Sequence, residues 1–105
     1  MASEQLAQLK SLCEKIQNLS ISDVHAKALE GLVKESIVTI SGLQTKDFVA
    51  ETRRKAALRS LESELPRYLE GYWSSQDPLH RISQLSKARE EAHHLVSTLL
   101  TTLRR

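Results

Sequence analysis

Residues 58–103 read LRSLESELPRYLEGYWSSQDPLHRISQLSKAREEAHHLVSTLLTTL, and an apolar stripe runs along each half. Leu58, Leu61, Leu65, Tyr68, Leu69 and Tyr72 recur at the three- and four-residue spacing of a helix face. Ser74-Ser75-Gln76-Asp77-Pro78 stops that helix and starts another. Aspartate suits the N-cap, proline suits the first helical position, and a residue before proline is biased out of the helical region. Ile82, Leu85, Ala88, Ala92, Leu95, Val96, Leu99 and Leu103 carry the second stripe. The pattern predicts two amphipathic helices of roughly 27 residues, folded back on each other as an antiparallel hairpin. With residues 72 and 79 facing each other at its tip, Glu62 comes level with Arg89, and a contact between them is expected.

Pro66 falls inside the first helix of the hairpin. Proline has no N–H to donate and crowds the carbonyl four residues back. The stripe nevertheless keeps its phase across it. One helix bent between Leu61 and Leu69 is expected, with two abutting helices as the other reading.

Upstream, two shorter helices are expected. Ser3 suits the N-cap of the first, and Leu6, Leu9, Leu12, Cys13, Ile16 and Leu19 form its buried face. Asn18 to Asp23 breaks the pattern, with Ser20 or Ser22 placed to cap the second helix, from about Asp23 to Ile40. Leu29, Leu32, Val33, Ile37 and Ile40 form its core face. Its end, Ile37-Val38-Thr39-Ile40, is a β-branched run, but no second strand candidate exists to pair with it. Gly42 is expected to take the left-handed conformation past the helix end, and Thr45 to cap the third helix.

The fold class is therefore all-α: a four-helix bundle in which two short N-terminal helices pack on a long antiparallel C-terminal hairpin. The chain reads as one domain over residues 1–105. The helical pattern still runs at Arg104-Arg105, as it would in a domain excised from a longer protein.

Apolar residues make up 40% and charged residues 27%, too apolar for a disordered chain. The net charge of +2 lacks the basic excess of a dedicated nucleic-acid binder. A single cysteine rules out an intramolecular disulfide. No leader-like segment and no run long enough to span a membrane appears, so an intracellular location, cytoplasmic or nuclear, is expected.

Chemistry is sparse. Glu90-Glu91-Ala92-His93-His94 holds Glu-x-x-His twice, the spacing that di-iron bundles use, but no second copy faces it. His94 also points away from the Leu95/Leu99 stripe. His25 and His80 are isolated, so no metal and no cofactor is expected. Cys13 lies within an apolar face, where a thiol acts as a small hydrophobe. No phosphate loop or nucleophile elbow is present, and an enzyme is not expected.

Two features remain. Phe48, Val49, Thr52 and Ala56 lie off the main stripe of the third helix. Either that helix is buried on two sides, or these residues form a second apolar surface for another helix, rimmed by Lys55 and Arg59. Trp73 beside the hairpin tip is a core cap or an interface anchor. The expected function is a non-catalytic interaction or assembly module that pairs helix to helix, in the manner of a coiled coil, with another protein or with itself. The alternative is a nucleic-acid-associated factor using Arg53, Arg54, Lys55 and Arg59.

Overall fold

The computed structural model describes residues 3–104, in four helices with no strand among them. They are α1 (Ser3–Gln17), α2 (Asp23–Ser41), α3 (Phe48–Ser74) and α4 (Pro78–Leu103). Ser3 and Arg105 have no described side chain, so the expected Ser3 cap and the C-terminal arginine lie outside the described residues.

The caps explain where the helices start. Ser22 Oγ accepts from the His25 N–H, and Asp77 Oδ1 accepts from the Leu79 N–H with Pro78 at the first helical position. Asp47, not Thr45, caps α3: its Oδ1 accepts from the Ala50 N–H at 2.8 Å. Thr45 instead donates its hydroxyl to Glu51 Oε1 at 2.9 Å. Of two capping residues two positions apart, the carboxylate took the helix end, where a negative charge meets the positive dipole. Gly42 also departs from expectation. Its φ is −85°, in the right-handed region, and its N–H bonds the carbonyls of Val38 and Ile40. The β-branched run 37–40 is helical.

α3 is one helix through Pro66, which is exposed. Exposure leaves the proline ring free of neighbouring helices, so its cost is confined to α3 itself: the lost donor and the crowded Glu62 carbonyl.

The helices are joined by short connections. α1 packs on α2 and α4, α3 packs on the same two, and the backbones of α1 and α3 stay apart across the shared core. Polar contacts confirm the levels. Arg89 of α4 donates to the carbonyl of Leu19, just past α1, at 2.6 Å, and Gln5 of α1 donates to the carbonyl of Gly42 at 3.2 Å.

Leu9, Ile16, Leu29, Ile40, Leu61, Leu65, Leu85, Val96 and Leu99 form the innermost core. Ala26, Ala57, Ala88 and Ala92 are buried beside them, and their small side chains let the helices approach. Ser36 is buried too, with its hydroxyl given to the Leu32 carbonyl at 2.7 Å.

Two expectations about α3 and α4 fail. Ile82 is 47% exposed although it lies on the apolar stripe of α4. Arg89 and Cys13's neighbour Ser97 lie on the side of α4 that faces α1. Ile82 lies on that side two turns earlier, past the end of the short α1. Glu62 and Arg89 do not pair, because the Arg89 guanidinium is turned toward α1 while Glu62 lies between α3 and α2. The hairpin register sets a level along the helices, not a rotation about their axes.

Candidate functional site

The outer face of α3 carries every residue singled out for binding except Arg54. Phe48 is 84% exposed and Val49 57%. Thr52, Lys55, Ala56 and Arg59 are exposed as well. Ala50, Ala57 and Leu61 point inward from the same helix and are buried. Thus the two-sided burial of the start of α3 does not occur. Val24 and Val38 on α2 are also exposed, as their off-face positions imply.

The basic cluster does not converge. Arg54 lies against the fold. Its Nε and Nη2 donate to the two oxygens of Glu51 at 2.7 and 2.8 Å, and its Nη1 reaches the Ser41 carbonyl at 3.5 Å. Arg53 stands beside Phe48 and Val49, in a shallow hollow closed by Thr102 of α4. Lys55 and Arg59 lie more than 100° round the helix from Arg53, at about 100° per residue.

A second feature was not visible in the sequence. Between α2 and α3 runs a groove of about 490 Å³, floored by Val33, Ile37, Leu61, Pro66 and Leu69 and closed at one end by Trp73. Glu30, Glu62 and Glu70 stand on its rim, with Lys34. Trp73 is held in place there: its Nε1–H donates to Glu30 Oε1 at 2.7 Å, and its ring meets Tyr72 edge-on at 5.0 Å. Its position beside the hairpin tip was legible, but its partner on α2 was not.

No protein-family model, no characterised protein and no solved structure matches the chain.

Two polar clasps fix the ends of this face. At the tip end, the Tyr72 hydroxyl donates to Asp23 Oδ1, and Arg81 donates to the same oxygen at 2.9 Å. The Arg81 guanidinium also donates to the Tyr72 carbonyl at 3.0 Å and stacks 4.4 Å from the Tyr72 ring centre. The Tyr72 hydrogen bond and the Arg81 charge hold the Asp23 carboxyl below its usual range, and the same hydrogen bond pushes the Tyr72 phenol up. At the other end, hydrogen bonds from Arg54 and Thr45 hold Glu51 down from 4.5 to about 2.

That sets an acid response. Glu51 and Asp23 both have lower values folded than unfolded, so their contribution is whole above the unfolded range. For Glu51 it is lost as pH falls from about 4.5 toward 2. Thermal melts over that interval should show stability falling with pH. Glu51→Gln should melt lower at neutral pH and lose part of the slope. A slope unchanged by the substitution would mean that Glu51 is not the titrating group.

The remaining candidates do not gather. Among the described residues no three His, Cys, Asp or Glu side chains gather as a metal site. His25 accepts at Nδ1 from the Ser20 N–H, a local loop bond, and His80 and His94 are exposed. Cys13 is partly buried and burial pushes its thiol up, away from the thiolate a nucleophile needs.

Proposed function

We propose that this protein is a non-catalytic helical interaction module that assembles with another helix through the outer face of α3. Two short helices packed on a long antiparallel hairpin form the frame, and α3 presents Phe48, Val49, Thr52 and Ala56 with Lys55 and Arg59 at the rim. What carries the reading is Phe48, an aromatic ring 84% exposed next to Val49. Burying a Phe side chain is worth about 1.5–3 kcal/mol, a gain this chain does not take for itself. The single cysteine, a free thiol, suits a reducing compartment, the cytoplasm or nucleus. The nucleic-acid reading has less support, since Arg54 is engaged by Glu51 and the other cations diverge.

The test is Phe48→Ser with Val49→Ser. The variant should keep its circular dichroism and melting temperature and lose a protein that the wild-type chain captures. A melting temperature lowered by a core-sized amount, on the order of 10 °C or more, would show the face to be core and overturn the reading.

A further inference from the structure

We infer that the partner of this face is a second copy of the chain, docked antiparallel along α3. The inference rests on the interface reading above and adds an occupant and a register to it. The observation is a self-complementary stripe. Phe48, Thr52, Lys55 and Arg59 follow one another at alternating spacings of four and three residues in the first half of α3. Glu62, Pro66, Glu70 and Trp73 follow at spacings of three or four residues through the second half. At about 100° per residue all eight fall within about 80° of the helix circumference. Each is exposed, Trp73 at 38%.

The two halves differ in sign. The first holds the cations Lys55 and Arg59, and the second holds the anions Glu62 and Glu70. An aromatic residue stands at each end, about 37 Å apart at 1.5 Å per residue. A parallel pair of such helices would set lysine on lysine, arginine on arginine and glutamate on glutamate. An antiparallel pair with its two-fold axis level with Ser60 and Leu61 does the opposite. Arg59 of each copy meets Glu62 of the other, twice, at the centre. Lys55 comes level with Pro66, one turn from both Glu62 and Glu70. Pro66 gives no N–H to the Glu62 carbonyl, so an acceptor there is open to a donor from outside the helix. Phe48 of each copy reaches Trp73 of the other, at the closed end of the apolar groove.

A two-fold interface needs one patch that complements itself, and this stripe has that property. Trp73 is already held by Glu30, so it meets the incoming ring with little ordering to be done. Aromatic anchors at an interface, with charge pairs fixing register, are the usual division of labour.

Charge reversal tests the register. Sedimentation from low micromolar to millimolar concentration should show the wild-type chain passing from monomer to dimer. Trp73 emission should shift to shorter wavelength over the same range. Arg59→Glu and Glu62→Arg should each raise the dissociation constant on the order of tenfold or more, because each sets like charges together twice. Both positions are exposed, so melting at low concentration should stay near wild type. An equimolar mixture of the two variants should dimerise again, since each glutamate then meets an arginine. So should the double variant with both changes in one chain. A wild-type chain monomeric up to millimolar concentration overturns the inference, while leaving the interface reading to the Phe48→Ser, Val49→Ser capture test. A dimer that survives both single reversals, or a mixture that stays monomeric, overturns the antiparallel register.

Discussion

Leu65→Ala is expected to lower the unfolding free energy by about 3–5 kcal/mol, the range for emptying a fully buried leucine site. Leu65 has no exposed surface and lies at the middle of α3, between Leu61 and Leu69 and next to Pro66. The loss has two parts: the transfer of the side chain and the cavity left behind. The second depends on how far the surroundings can collapse. Against a typical domain stability of about 5–15 kcal/mol, this removes a fifth or more. Urea unfolding followed by circular dichroism gives the number. Leu79→Ala, at a site 78% exposed, is the control and should change stability by less than about 0.5 kcal/mol. Equal effects at the two positions would contradict the assignment of the core.

Tyr72→Ala should have an effect of similar size, about 3–5 kcal/mol for the loss of a buried aromatic ring. Tyr72 is 4% exposed, and three elements meet on it: Asp23 at the start of α2, Arg81 on α4 and Trp73 beside it on α3. Removing the ring takes away the surface on which Arg81 lies and the packing edge of Trp73. Tyr72→Phe separates the parts. It keeps the ring and the stacked guanidinium and removes the O–H donor from Asp23, so its cost should be smaller. It should also let the Asp23 carboxyl rise toward its usual range, since that hydrogen bond is the largest cause of its depression. Thermal melts of both variants, with carboxyl titration of Tyr72→Phe by NMR, check the pair. A Tyr72→Phe variant as unstable as Tyr72→Ala would place the weight on the hydroxyl instead of the ring.

How much of this was legible follows from what a one-dimensional pattern contains. The stripes on α1 to α4 gave the helices, because apolar spacing at three and four residues is a direct record of one buried face. Asp77-Pro78 gave a boundary, because both residues are restricted to that role. Thr45 was mistaken for a cap because Asp47 competed with it, and the pattern does not rank two adjacent oxygens. Ile82 was placed in the core because its stripe says which side it faces but not where the neighbouring helix ends. Leu100 was missed for the complementary reason: α1 covers that end of α4, so the buried arc there is wider than the stripe. At the candidate site, the wheel showed that Phe48 and Val49 lie off the stripe. Whether another helix covered them depended on packing, and the groove beside Trp73 needed two helices to exist at all.

The bond from Arg89 to the Leu19 carbonyl has a temporal consequence. α1 packs more extensively on α4 than on α2. During synthesis α1 leaves the ribosome first, and all of α2 and α3 must follow before α4 begins at Pro78. Throughout that interval the face of α1 that carries Leu9, Leu12 and Ile16 lacks the part of its cover that α4 supplies, and the end of α1 lacks the donor that finishes it. α3 and α4, joined by residues 75–77 and packed on each other, close their contacts over shorter stretches of chain and pair faster. The helix made first is thus the one that waits longest, and the nascent chain is most exposed to wrong partners just before its last helix is complete.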